Sequence, residues 1–95
     1  EVVVAWLTAT GRRFDYIMED AAYAAERAPS QALAQALVPL VAPGGVLVVN
    51  RHRRSDAGHL AALLRGSFRR LRLRRVRREG ENMLLCCAGP AQTRP

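Results

Sequence analysis

The stretch Leu40–Asn50, "LVAPGGVLVVN", constrains the fold more than any other part of the chain. Four aliphatic residues in succession, Val46 to Val49, do not alternate with polar ones as a half-exposed strand would. Such a run suits a strand covered on both faces, as in parallel sheets flanked by helices. Upstream, Leu33, Leu37, Leu40 and Val41 recur at four- and three-residue spacing and predict an amphipathic helix from Pro29-Ser30, with Ser30 as its cap. Pro39 loosens the last turn of that helix by removing a backbone donor. Pro43-Gly44-Gly45 then ends it, a glycine supplying the positive φ of a C-terminal cap.

The rest of the chain extends this pattern. Val3, Trp6, Leu7 and Thr10 fall at helical spacing before Gly11, and Trp6 is expected to anchor the core. Phe14-Asp15-Tyr16-Ile17-Met18-Glu19-Asp20 follows as a short strand, expected to be buried. A helix after Asn50, capped by Ser55 or Asp56, carries Leu60, Leu63 and Leu64 and stops near Gly66. Leu71, Leu73 and Val76 among arginines, a turn at Glu79-Gly80-Glu81-Asn82, and an apolar run from Met83 to Ala88 predict an antiparallel hairpin. Helix and strand alternating before a hairpin indicate an α/β fold, with parallel strands, flanking helices and a C-terminal antiparallel hairpin. One domain over residues 1–89 and a frayed tail over 90–95 are expected.

All fifteen basic residues are arginine, a bias that arginine-rich coding explains as well as selection does, so the net charge of +7 says little about fold. It favours weak association with polyanions. Two arginine clusters stand out, Arg51, Arg53 and Arg54 with His52, and Arg69 to Arg78. Their arrangement is read first as solvated surface, because few aromatics interleave with them to stack on bases. Cys86 and Cys87 are adjacent, a poor geometry for a mutual disulfide, and are read as reduced thiols of a cytoplasmic protein. With only His52 and His59 besides, ligands for a zinc site are too few, and no serine or cysteine nucleophile arrangement accompanies the histidines. Gln35, Pro39 and Pro43-Gly44-Gly45 interrupt the apolar segment from Ala32 to Val49, so no membrane partner is expected. The chain opens on Glu1-Val2-Val3 with no signal-peptide pattern, and its start inside an element leads us to expect further residues upstream.

In that order and spacing, "FDYIMED", "LVAPGGVLVVN" and "ENMLLCCAG" resemble the second half of a class I S-adenosylmethionine-dependent methyltransferase domain, a Rossmann-like fold. Within that superfamily they are similar to the spermidine-synthase-like branch. The resemblance covers about Glu1 to Gly89. It implies a partial methyltransferase fold in which "FDYIMED" is the fourth strand, "APGGVLVVN" leads into the fifth, and the hairpin closes the sheet. It also implies S-adenosylmethionine as the cofactor of the complete domain. The glycine-rich turn and the ribose-binding acid of that site would lie upstream of Glu1, so this half alone lacks most of the cofactor site.

Ligands in open α/β sheets bind beyond the carboxyl ends of the strands, and Asp20 and Asn50 sit at two such ends. The resemblance implies a place beside the cofactor for Asp20, Ala21 and Tyr23, with Asp20 as the catalytic candidate. Tyr23 and Asn50 are the candidate contacts to an unknown acceptor substrate. Asp20 reads equally as a loop acid or helix cap, Tyr23 as packing, and Asn50 as turn chemistry. Asp15 and Glu19 are read as solvated or structural. Aminopropyl-transferring members of the branch follow this acid with Ser or Thr and a second acid, where Ala21-Ala22-Tyr23 stand here. Three functions therefore remain open: methyl transfer, a non-catalytic remnant or RNA-binding module, and aminopropyl transfer to a polyamine. The exposed edge of the first strand is expected to favour pairing with a second copy of the chain.

Overall fold

A computed structural model describes residues 2–20, 27–78 and 80–91, with side chains for 3–20, 31–76 and 82–91. The elements run α1 (Val2–Ala9), β1 (Phe14–Glu19), α2 (Arg27–Leu37), a 3₁₀ turn (Val38–Leu40), β2 (Val41–Arg51) and α3 (Arg54–Leu64). A second 3₁₀ turn (Arg65–Ser67), β3 (Phe68–Arg78) and β4 (Gly80–Pro90) complete the order. The strands form one mixed sheet in the order β1-β2-β4-β3. β1 and β2 are parallel, joined through α2, while β4 pairs antiparallel with both β2 and β3. The mixed α/β architecture with a closing hairpin is the one expected from the sequence.

Strand alternation divides the sheet into two unlike faces. Ile17, Glu19, Leu47, Val49, Arg51, Leu71, Leu73, Met83, Leu85 and Cys87 share one face by register. Leu47, Val49, Leu85 and Cys87 there are fully buried against Ala34 and Leu37 of α2, Leu40 of the turn, and Leu60, Ala61 and Leu64 of α3. Val4 and Leu7 of α1 pack on the same cluster. Burial of each large aliphatic side chain contributes about 1.5–3 kcal/mol, so this one layer carries most of the apolar stabilisation. The opposite face presents Tyr16, Met18, Val46, Val48, Leu84, Cys86 and Ala88, all exposed or half-buried. Among the described residues no helix covers it, although the run Val46–Val49 has the composition of a strand clothed on both sides.

Several local expectations are corrected. Helix α2 ends at Leu37 and passes through the 3₁₀ turn, in which Pro39 is tolerated near the start, before Pro43 is reached. Pro43-Gly44-Gly45 therefore lies inside β2, and neither glycine has positive φ, which among the described glycines belongs to Gly11 and Gly89. Gly45 is required for a different reason. A Cβ there would sit 2.9 Å from the Phe14 carbonyl oxygen and 3.0 Å from that of Asp15, where β1 slips register against β2. Helix α2 is already under way at Ser30, and α3 starts behind Arg53 without a side-chain cap, leaving Ser55 and Asp56 in its first turn.

β1 is an edge strand, with Phe14, Tyr16 and Met18 exposed, because among the described residues only β2 pairs with it. Trp6 is 59% exposed on the outer side of α1 and anchors nothing in the core. α1 itself stops as its spacing predicts, Gly11 taking φ +74° while its amide donates to the Thr8 carbonyl. At the other end β4 continues through Pro90, and the Ala91 amide donates to the Ser67 carbonyl at 2.8 Å.

Gly45→Ala should destabilise the chain by about 1–3 kcal/mol in urea unfolding, since the added methyl meets backbone on both sides. Gly44→Ala, with open space around it, should change stability by no more than about 0.5 kcal/mol. The two thiols should also separate. Burial, with a smaller contribution from neighbouring Cys86, pushes the Cys87 thiol from 9.0 up to about 12. A raised thiol pKa means the fold favours the neutral form, so the stability it contributes is complete below pH 9 and is lost as pH rises towards 12. A thiol reagent at pH 8 should label half-buried Cys86 in the native chain and reach Cys87 only on unfolding.

Candidate functional site

The carboxyl ends of β1 and β2 lie side by side because the register Glu19↔Val49 places the residues that follow, Asp20 and Asn50, next to each other. Both follow the parity of Met18 and Val48 and so stand on the uncovered face. The Asn50 side-chain amide donates to Asp20 Oδ1 at 2.8 Å and to Asn82 Oδ1 at 3.2 Å. Asn82 reaches the same place from β4, two residues before Leu84, the cross-strand partner of Asn50. Three strands thus deliver one carboxylate and two carboxamides to a single spot.

The hydrogen-bond inventory of Asn50 fixes its orientation. Nδ2 has two hydrogens, and both are spent, one on the Asp20 carboxylate and one on Asn82. Reversing the amide would set Asn50 Oδ1 against Asp20 Oδ1, two acceptors with no proton between them. Asn50 is 8% exposed, and its Oδ1 is buried with no hydrogen-bond partner. A buried acceptor left unmatched costs on the order of 1–3 kcal/mol. Asp20 is exposed, and among the described residues its Oδ2 makes no hydrogen bond. The cluster therefore offers one exposed unused acceptor, Asp20 Oδ2, above a buried one, which suits a ligand group bearing an N–H or O–H donor and disfavours an anion.

Directly behind the cluster, on the helical face, Arg51 holds Glu19 in a two-pronged ion pair, Nη2 to Oε1 at 2.8 Å and Nη1 to Oε2 at 2.9 Å. Arg51 Nη1 also donates to the Asn50 carbonyl at 2.8 Å. Both side chains are buried, at 2% and 5% exposure. Matched fork geometry makes such pairs strong and directional. Glu19 precedes Asp20 and Arg51 follows Asn50, so the pair fastens the backbone at the two positions that carry the exposed chemistry.

The sequence pointed to Asp20 and Asn50 separately, and the structure joins them by a direct hydrogen bond. Ala21 and Tyr23 lie outside the described residues. Glu19 is structural, one of the two roles expected for it. Arg51, grouped by sequence with a solvated basic loop, is instead buried; its odd-numbered parity with Leu47 and Val49 was the signal that it faces the core. Asn82 had been assigned only to a turn, and nothing short of the β2–β4 register reveals its role. The open hollow lined by Arg13, Pro39, Pro43, Ser67 and Pro90 lies at the opposite end of the sheet and takes no part in this cluster. There the Arg13 guanidinium donates to the Pro39 carbonyl.

No family model matches the sequence, and no curated protein matches it. Among solved structures, the chain is similar to a Plasmodium falciparum protein provisionally described as a ribosomal RNA methyltransferase, with 16% identity and a TM-score of 0.60. The match covers 95% of this chain and 54% of that one. The chain thus has a methyltransferase-type α/β fold and spans about half the length of that structure. No described helix is long and apolar enough to cross a membrane.

Arg51→Ala should cost about 3–5 kcal/mol in urea unfolding, because it removes the two-pronged partner of a buried carboxylate. The same change at exposed Arg65 should stay within about 0.5 kcal/mol. Equal losses at the two positions would contradict the structural role of the pair.

Proposed function

We propose that this chain is the C-terminal half of an S-adenosylmethionine-dependent methyltransferase domain, with Asp20, Asn50 and Asn82 on the acceptor side of its site. The observation that carries the proposal is the cluster itself. A carboxylate and an unsatisfied carboxamide oxygen converge at the carboxyl ends of adjacent parallel strands, where open α/β sheets bind ligands. The likeness in fold to a protein described as a ribosomal RNA methyltransferase supports both the activity and RNA as the acceptor class. The bare margin of β1, bearing Tyr16 and Met18, is where the remainder of such a domain would pack.

S-adenosylmethionine supplies a methyl group on a positively charged sulfur, open to direct displacement. The residues of this chain supply alignment. Asn50 holds Asp20 Oδ1, which leaves the exposed Oδ2 to accept a hydrogen bond from the acceptor's N–H or O–H. As the methyl carbon leaves sulfur, with the bonding pair staying on sulfur, the acceptor would shed a proton, and Asp20 is placed to receive it and pass it to water. Methyl transfer is favoured over aminopropyl transfer because Ala21-Ala22, not a second acid, follow Asp20. The spermidine-synthase-like kinship is thus read as one of descent and not of substrate.

Calorimetry of the full-length protein should show binding of S-adenosylmethionine in preference to its decarboxylated form, and tritiated methyl should pass to RNA. Asp20→Asn should lower transfer by about 10²- to 10⁴-fold, and Asn50→Ala should lower it less. Preference for the decarboxylated form would indicate aminopropyl transfer. Binding of neither compound would leave a non-catalytic remnant.

A further inference from the structure

Arg70, Arg72 and Arg74 stand on the same face of the sheet as Asn82, Asn50 and Asp20. The register fixes this: they pair with Ala88, Cys86 and Leu84, the even-numbered residues of β4 that lead to Asn82. All three are exposed and make no ion pair among the described residues. β3 is an edge strand in which seven of eleven residues are arginine, and these three form its regular row. Strand geometry sets neighbours in the row about 7 Å apart and the whole row at about 14 Å. Beside it, Leu84, Cys86 and Ala88 of β4 form a half-buried floor without charge. The row is thus a straight line of cations ending one residue pair short of the acceptor cluster.

We propose that Arg70, Arg72 and Arg74 hold the phosphodiester backbone of single-stranded RNA and lead it along β4 to the Asp20–Asn50–Asn82 cluster. The strand's destination, and its identity as RNA, rest on the methyl-transfer reading above; the docking row rests on geometry alone. Guanidinium forks match phosphate oxygens in two-pronged contacts, and a single line of three suits one flexible strand. A bilayer surface would call for a broad basic patch. This row is narrow and ends beside the exposed Asp20 carboxylate, whose free oxygen suits the N–H and O–H groups of a nucleotide.

The test is fluorescence anisotropy of a labelled twelve-nucleotide oligouridylate over a series of salt concentrations, with no cofactor present. Single-stranded contacts contribute about 0.7 each to the log–log salt slope, so the triple variant Arg70→Gln, Arg72→Gln, Arg74→Gln should reduce that slope by about 2. Affinity near 0.1 M salt should fall at least tenfold. The equal charge change Arg12→Gln, Arg54→Gln, Arg65→Gln, at exposed positions away from the row, should lower it no more than about threefold. Arg→Lys at the three row positions should keep the slope, and serves as the reference if the glutamine variant loses its fold by circular dichroism. Equal losses in both glutamine variants, no RNA binding by the wild type, or tighter binding to single-stranded DNA or to phosphatidylserine vesicles would each overturn the proposal. RNA binding that depends on the row, without any methyl transfer, would sink the enzyme reading and the strand's destination while leaving the docking row standing.

Discussion

The Glu19–Arg51 ion pair is the interaction on which the organisation of the sheet's carboxyl end depends. Two opposite charges taken out of water repay their desolvation only when geometry and additional hydrogen bonds are good, and here both conditions hold, through the two-pronged contact and the bond to the Asn50 carbonyl. Because consecutive strand residues face opposite ways, a rigid link on the helical side dictates the spacing of Asp20 and Asn50 on the other. The polar chemistry of the open face is therefore positioned from beneath, by groups that no ligand touches.

The general layout could be read from residue pattern because each element repeats its own signal. The leucine spacing of α2 and α3, the aliphatic run of β2 and the apolar run of β4 agree with one another, as foldable sequences require. Gly80 to Asn82, expected in the turn, already pair as β4. What pattern could not supply is register. Asn82 and Asn50 are far apart in the chain, and only the β2–β4 pairing brings them within 3.2 Å. Arg51 was misplaced for a related reason: its charge suggested water, whereas its parity and the acid across from it on β1 put it in the core.

Errors of local structure share a cause too. Pro-Gly-Gly has the composition of a helix stop, yet the helix ends before it, and Gly45 serves the contact between backbones at the slipped register of β1 and β2. Phe14, Tyr16, Met18 and Trp6 were assigned to the interior by their apolarity. Apolar character tells what a residue would bury if offered a partner, and among the described residues these side chains have little cover. The two sheet edges differ accordingly: β3 is studded with arginine, which discourages further strand pairing, while β1 carries aromatic and sulfur-bearing groups at a bare margin.

The strand order has a bearing on how the chain is made. β4 follows β3 in sequence but lies between β3 and β2, so β3 has no neighbour in the sheet until β4 arrives. On a ribosome, residues 1–79 would emerge with β1 and β2 able to pair, and with the arginine-rich strand still unattached. Docking of β4 then joins both halves of the sheet in one step and brings Asn82 to Asn50. Completion of the polar cluster is thereby tied to the arrival of β4, and a chain halted before it would carry neither the site nor the joined sheet.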